Sequence, residues 1–325
     1  MKATAVAPSN IAFIKYWGKK DEILRLPENG SISMSLSNLL TVTTVEFNAN
    51  YKEDVIIINN QKEENQGNRV IKHLDRIRKI AKINYKAKVV TKNNFPAGTG
   101  LSSSASGLAA LTVAAVKAAG LDLSEKELSI LARLGSGSAC RSIPNGFVEW
   151  LGGDTNETSF AVSLYPANYW DIADVVAIVS KDKKEVSTTE GQKLAPSSPF
   201  FSIRLARIKE KINLIKKYMK EKNFRAFGEL VEQEALELHA VMLTSTPSLI
   251  YWLPGTLKVI HAVKKWRWDG LQVYFTINTG QDIHLICQKK DVEKVVKKLE
   301  EIFDVQNTIV NYPSNGAHII SENLF

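Results

Sequence analysis

The stretch Asn94-Phe95-Pro96-Ala97-Gly98-Thr99-Gly100-Leu101-Ser102-Ser103-Ser104-Ala105 constrains this chain more than any other. Glycines let a backbone pass close to a ligand, and serines add hydroxyls. Leu108, Leu111, Val113 and Ala114 then open an apolar run at helical spacing. A helix starting here aims unpaired N–H groups and the positive end of its dipole into the loop. That is the physics of an anion site, with phosphate the favoured anion. The same residues also suit a plain helix start with a flexible lead-in.

A second small-residue loop reads Arg133-Leu134-Gly135-Ser136-Gly137-Ser138-Ala139-Cys140-Arg141-Ser142. Its arginine offers a planar fork for carboxylate or phosphate. Two such loops, each beside an expected helix, point to a phosphorylated ligand. Lys15 and Lys19 flank Tyr16, Trp17 and Gly18. Aromatics beside a glycine, between cations, suit the wall of a polar pocket. They also suit a hydrophobic turn with solvated lysines.

Composition excludes several classes. The 325 residues are 44% hydrophobic and 23% charged, enough for a large core in one broad domain or two lobes. Apolar runs stay short of about 18 residues, so no membrane-spanning helix is expected. The first residues lack the apolar core of a signal peptide, and the expectation is a cytosolic protein. The formal charge of +8 is scattered over helices without aromatic platforms. Solvated helix faces, or a polyanionic small substrate, fit this better than nucleic acid. Cys140 and Cys287 stand alone without metal-ligand spacing, and would form a disulfide only if the fold brought them together. The histidines show no zinc pattern, and His239 reads as a packed or capping residue.

Periodicity predicts a short edge strand at 2–8 ending at Pro8, and strand after an Asn29-Gly30 turn. It predicts further strands at 41–47, 54–58 and 86–93. An amphipathic helix is expected at 69–83 and a helix at 101–119, ending at Gly120. Ser124 and Glu127 are spaced as a capping box. Strands at 147–151, 161–165 and 174–179 precede a composition change near Lys181-Asp182-Lys183-Lys184. Ser187, Thr188 and Thr189 form a hydroxyl-rich helix cap. Helices at 200–222, 224–243 and 255–266, strands at 271–277 and 283–287, a helix at 291–303 and a strand at 307–312 complete the chain. Alternating strands and helices in this half predict a sheet covered by helices.

Together these motifs resemble the GHMP kinases, small-molecule kinases that lack the Walker pattern. Pro96, Gly100 and the run 101–105 are similar to that superfamily's phosphate loop. Asn10-Ile11-Ala12 with Lys15-Tyr16-Trp17-Gly18-Lys19, and the run 135–142, resemble the diphosphomevalonate decarboxylases within it. The resemblance spans about residues 7–285. It implies an α+β fold, with a ribosomal S5 domain 2-like lobe (1–182) and a ferredoxin-like lobe (183–325). It implies phosphorylation of the 3-hydroxyl of mevalonate 5-diphosphate by ATP and Mg2+. Loss of phosphate and CO2 would then give isopentenyl diphosphate, and relatives of this kind are usually homodimers.

The resemblance also implies roles. The run 96–105 (Pro96, Gly98, Thr99, Gly100, Leu101, Ser102, Ser103, Ser104, Ala105) would hold the nucleotide, with Ser103 and Ser104 near Mg2+. Lys15 would sit by the reacting hydroxyl, and Arg141 would grip the carboxylate. Tyr16, Trp17, Gly18, Lys19, Arg69, Ser136, Gly137, Ser138, Ala139, Cys140 and Thr189 would form the substrate pocket. One departure stands out. The family's Asp-x-Gly-x-Asn turn, whose Asp is catalytic, here reads Asn278-Thr279-Gly280-Gln281-Asp282. An amide accepts no proton. Three explanations remain: an introduced Asp-to-Asn change, Asp282 reaching the hydroxyl from across a turn loosened by Gln281, or a relative with altered chemistry.

Overall fold

A computed structural model describes residues 1–63, 67–96 and 100–325. The N-terminal half runs β1 (Lys2–Ile14), β2 (Lys19–Asp21), β3 (Leu26–Pro27), β4 (Ser31–Asn48), β5 (Val55–Ile58) and β6 (Gln61–Lys62). It continues α1 (Gly67–Ala81), β7 (Lys86–Asn93), α2 (Ser103–Ala118), α3 (Glu125–Gly135), β8 (Phe147–Trp150) and β9 (Ala161–Tyr165). Then come β10 (Ile172–Ile178), α4 (Thr188–Lys193), α5 (Phe201–Lys220), α6 (Phe224–Leu243) and α7 (Pro254–Trp268). The chain closes with β11 (Val273–Thr276), β12 (Ile283–Gln288), α8 (Val292–Glu300), β13 (Asn307–Asn311) and β14 (His318–Ile320).

Two larger sheets organise the described residues. One has eight strands, in the order β14-β1-β4-β7-β5-β6, with β8 and β9 continuing from β4. The other has four antiparallel strands in the order β11-β12-β10-β13. Each half of the chain lends a strand to the other's sheet: β10 joins the second, and β14 joins the first. Helices α1, α2 and α3 cover one face of the large sheet, and α2 is buried on nearly all sides. Its alanines let it fit between sheet and helices, because a small side chain permits close approach. On the opposite face, α5 and α6 lie between the two sheets. Phe13 and Met34 meet Ile208, Ile215, Phe227 and Val231 there, with Val176 and Ile286 beyond. Along β10, Val176 and Ile178 face these helices, whereas Ala173, Val175 and Ala177 face α7 and α8. That period of two is what a strand covered on both faces requires. At Gly228 a Cβ would stand 2.0 Å from the Tyr274 ring, so only glycine lets α6 seat against β11.

Some expectations are corrected. The segment at 2–8 is not an edge strand ending at Pro8. It runs to Ile14 between β14 and β4. The ladder shifts register between Pro8 and Asn10, which accommodates a residue lacking an N–H. The expected strands around residues 31 and 41–47 are one strand. Its polar middle is held from outside: Ser37 N–H donates to Tyr312 O, and Asn38 N–H to Asn311 Oδ1. The Asn29-Gly30 turn closes no hairpin, since β3 pairs with β2 and β4 with β1. Helix α2 starts at Ser103 rather than 101, because Ser102 takes a left-handed φ of 59°. The capping box of Ser124 and Glu127 is present. Cys140 and Cys287 are free and buried in separate apolar clusters, so no disulfide joins them.

One buried ion cluster ties the layers together. Glu234 on α6 accepts from Arg204 on α5 and from Lys211 Nζ at 2.7 Å. The same carboxylate accepts the Lys15 main-chain N–H at 3.1 Å, and Arg204 Nη2 donates to Lys15 O at 2.7 Å. Residue 15, just past β1, is thus clamped on both sides by α5 and α6. Burial pushes the Glu234 carboxyl up, but Arg204, Lys211 and the hydrogen bonds outweigh it and hold it below the usual range. Replacing Glu234 by Ala leaves buried Arg204 without a carboxylate and Lys211 with Glu237 alone, and should cost about 3–5 kcal/mol in denaturant unfolding. A depressed carboxyl stabilises the fold above its unfolded pKa of about 4.3, and that contribution is lost as pH falls through the lower folded value. The wild-type advantage over Glu234→Ala should therefore be full at neutral pH and shrink below about pH 4.

Candidate active site

The serine loop and the 278–282 turn meet across one cavity of about 600 Å³. Gly100 has φ +114°, and a Cβ there would stand 2.8 Å from the Gly280 Cα. Two glycine backbones in contact are what bring this loop against the turn from the second half of the chain. Gly100, Ser102, Ser103 and Ser104 line the cavity. Ser102 is the N-cap of α2, yet its hydroxyl makes no capping bond. It instead receives Asn278 Nδ2 at 3.2 Å. Leu101 and Ala105, by contrast, are core residues, and Pro96 does not line the cavity. Gly98 and Thr99 lie outside the described residues.

Lys15 is 2% exposed and is among the residues lining the cavity. Its Nζ donates to Ala12 O at 2.7 Å and to Asn278 Oδ1 at 3.2 Å. Burial pulls its pKa down to about 7; Glu234 opposes this, whereas Arg141 and Arg204 add to it. Asn278 is itself held from behind, since His239 Nε2 donates to its carbonyl at 3.0 Å. His239 is buried and stacks on Trp252, so it is a packed residue, as its sequence context suggested.

Arg141 is 5% exposed and lines the same cavity. Its Nε and Nη2 donate to Asn10 Oδ1 at 3.2 and 3.0 Å, and Nη1 donates to Ser31 Oγ at 2.9 Å. These partners are neutral, so the guanidinium is oriented without being neutralised. Tyr16, Arg69, Ser136, Gly137, Ser138 and Thr189 also line the cavity. Tyr16 donates its hydroxyl to Gln192 Oε1 at 2.7 Å and packs edge-on to Trp150. Arg69 Nε donates to Gly135 O at 3.0 Å, joining α1 to the second loop. Burial, with the charges of Arg25 and Arg76, lowers the Arg69 pKa to about 10.

Other expected site residues do not reach the cavity. Trp17 is buried with Phe201, Leu238 and Met242, and Gly18 backs onto the Phe201 ring. Lys19 is paired with Glu22. Ala139 and Cys140 are core, and burial pushes the Cys140 thiol up to about 12. Asp282 does not line the cavity either. Its Oδ1 accepts the Val179 N–H at 3.0 Å, at the end of β10. Gln281 does not loosen the turn: its amide donates to Asp182 O at 2.7 Å, and its carbonyl accepts from Thr256.

Several lining residues gave little sequence signal. Lys184 lay inside a run that reads as a composition change. It is half-buried, with a pKa lowered to about 8 by desolvation, and donates to Thr279 O at 2.6 Å and Thr188 Oγ1 at 2.7 Å. Gln192, Thr188 and Thr279 line the cavity as well. Asn10 was visible only as part of a longer motif, and Glu234 looks in sequence like any solvated helix acid.

A Mg2+ ion fits this donor set. Magnesium takes oxygen ligands, keeps several waters and leans on substrate phosphates rather than on an all-protein cage. Hydroxyls of Ser103 and Ser104 are of that kind, and no group of three or more acidic, His or Cys residues could cage a metal among the described residues.

Comparison with known proteins agrees with this geometry. Residues 7–161 match the diphosphomevalonate decarboxylase-like N-terminal domain, and residues 174–322 the mevalonate 5-diphosphate decarboxylase C-terminal domain. A diphosphomevalonate decarboxylase of Debaryomyces hansenii is 35% identical over 93% of this chain and 83% of its own. A phosphomevalonate decarboxylase of Haloferax volcanii is 33% identical over 91% of each. The solved structure of MDDEF in complex with MVAPP, AMPPCP and magnesium superposes with a TM-score of 0.93 at 38% identity, covering 99% of each chain. With its mixed sheets and helices, the fold is the α+β GHMP kinase fold. Both halves match, and this chain belongs to the diphosphomevalonate decarboxylase family.

Proposed function

We propose that this chain catalyses the ATP-dependent decarboxylation of mevalonate 5-diphosphate to isopentenyl diphosphate, with ADP, phosphate and CO2 as the other products. The observation that carries this reading is a single cavity joining the serine loop to Lys15, Arg141 and Arg69. Gly100 and the hydroxyls and N–H groups at 102–104 hold the ATP phosphates, since a helix N-terminus favours anions. Ser103 and Ser104 hold Mg2+, which neutralises charge on the phosphates when bound. Arg69, Tyr16, Ser136, Ser138 and Thr189 hold the substrate's 5-diphosphate. Lys15 stands at the 3-hydroxyl.

A tertiary alcohol is a poor nucleophile, so alignment with the γ-phosphate matters more than covalent help. Departure of the 3-phosphate leaves positive charge at C3, and the electrons of the C1–C2 bond quench it as CO2 leaves. The enzyme must hold that carboxylate without trapping its electrons. Arg141, steered by two neutral partners, suits this task. Replacing Arg141 by Gln should lower kcat about 10²–10³-fold and leave ATP affinity within a few-fold, by steady-state kinetics and nucleotide titration.

A second reading, decarboxylation of mevalonate 5-phosphate, is favoured by the pairing of Lys19 with Glu22, which leaves fewer cations for a second phosphate. A panel of mevalonate, its 5-phosphate and its 5-diphosphate with Mg-ATP decides. The first reading expects equal ADP and CO2, with the diphosphate preferred. ADP without CO2 would identify a 3-hydroxyl kinase instead.

We also take the chain to consist of two lobes, 1–182 and 183–325, that exchange β10 and β14, and to act in the cytoplasm as a homodimer. Trp268 at the end of α7 and Phe303 beyond α8 are 92% and 99% exposed, as residues awaiting a partner surface would be. Analytical ultracentrifugation should give about twice the chain mass of 36.1 kDa.

A further inference from the structure

The reaction proposed above must remove a proton from the 3-hydroxyl, and the usual carboxylate is missing. Among the described residues lining the cavity, Glu63 is the one carboxylate. It follows β6, which stands four strands from β1 in the large sheet, about 19 Å at ~4.8 Å per strand. Lys15 directly follows β1. The acids nearer to Lys15 are occupied. Glu234 is committed to Arg204, Lys211 and the Lys15 main chain. Asp174 receives His284 Nδ1 at 3.0 Å and Asn311 Nδ2 at 3.4 Å. Asp282 accepts Val179 N–H.

We infer that in this enzyme the Lys15 amine itself, seated on the Asn278 amide, is the base that takes the 3-hydroxyl proton. This rests on the function proposed above. A neutral amine has two N–H donors and one lone pair. Lys15 Nζ has two acceptors, the Ala12 carbonyl and the Asn278 Oδ1. Both donors are then used, and the remaining tetrahedral position at Nζ carries the lone pair. A carboxylate at 278 would hold Lys15 as an ammonium ion; an amide exerts no such charge. The surrounding groups push the same way. Arg141 from the 137–142 turn and Arg204 from α5 disfavour the ammonium, whereas Glu234 on α6 and Asp174 on β10 favour it. His239 on α6 is kept neutral, its pKa lowered to about 3 by burial and by Lys15. Burial dominates, and the amine's pKa falls to about 7, where a base works well at neutral pH.

The step balances. The substrate O–H bond breaks and an N–H bond forms on Nζ. The oxygen's electron pair attacks the γ-phosphorus, and the bond to the ADP oxygen breaks. Lys15 is left as ammonium and returns its proton to the phosphate released at the end of the cycle. Bound polyanions favour the ammonium, so the rising limb in kcat should lie at higher pH than the limb in kcat/KM.

The test uses the whole enzyme with Lys15→Arg, Asn278→Asp and the double variant. Arginine keeps the charge but gives up no proton at working pH. Lys15→Arg should bind ADP normally and lose about 10²–10⁴-fold in turnover. Adding Asn278→Asp should restore at least tenfold by supplying a carboxylate base. In the wild type, kcat/KM should rise with an apparent pKa near 7. In Asn278→Asp, that limb should move to lower pH by more than one unit. A Lys15→Arg enzyme keeping more than a tenth of its activity, or no recovery in the double variant, would overturn the inference. A second readout needs no turnover. The lysine resonance that disappears in Lys15→Arg, followed by 13C NMR of lysine-labelled protein, should titrate near pH 7. It should titrate at least two units higher in Asn278→Asp. A wild-type signal that stays ammonium to pH 9 refutes the base assignment. Absence of ADP from every mevalonate derivative would instead refute the reaction.

Discussion

Everything at this site hangs on how residue 15 is held. Its N–H and carbonyl are taken by a carboxylate and a guanidinium from α6 and α5, and its carbonyl also accepts Asn29 Nδ2. A peptide gripped on both sides has little freedom, so the amine at the end of the side chain is delivered to one place. The grip comes from the second half of the chain, whereas the lysine comes from the first. The placement of Lys15 in the site therefore depends on α5 and α6 being seated between the two sheets. A buried ion cluster is weak evidence for stability, because desolvation offsets much of its attraction. Here its better-supported effect is geometric, since two of its members spend hydrogen bonds on the Lys15 peptide.

A second constraint is contact without side chains. Gly100 and Gly280 touch backbone to backbone, and a Cβ at the first would overlap the second. This lets the start of α2 and the 278–282 turn share one cavity wall, bridged by the bond from Asn278 Nδ2 to Ser102. Ser102 can accept that bond because its hydroxyl is not spent on capping α2. The left-handed φ that shortens the helix by two residues also frees the hydroxyl for the turn.

The parts legible in sequence were those carried by local pattern. Helices α5 and α6, the Ser124 capping box and the serine loop follow from periodicity, capping chemistry and small-residue runs. So does Arg141 as a cavity arginine, because a planar cation ending a Gly/Ser loop has few uses. What sequence hid was set by long-range pairing. Pro8 reads as a strand end, yet a register shift lets β1 continue past it. Ser37 and Asn38 fall between the two strands expected after Asn29-Gly30 and at 41–47, but bonds to residues 312 and 311 carry one strand through. Trp17 and Cys140 share motifs with site residues and point the other way. A motif marks a segment, whereas side-chain direction depends on what packs behind it. Glu234 gave no signal because a helix acid looks the same buried or solvated.

The 278–282 turn shows why its departures from the family pattern belong together. Gln281 donates to Asp182 O, and Asp282 accepts from Val179 N–H, so both anchor the turn to the segment after β10. Asp282 thereby faces away from the cavity and cannot stand in for a carboxylate at 278. With a charge removed at 278 and none supplied from 282, the field at Lys15 is set by burial and by two arginines against Glu234 and Asp174. A turn that departs from that pattern at both 278 and 282, each making its own bonds, differs from a working turn with one side chain exchanged. It favours altered proton chemistry in a natural relative over a single introduced change, because an isolated exchange at 278 would leave 282 as the family has it.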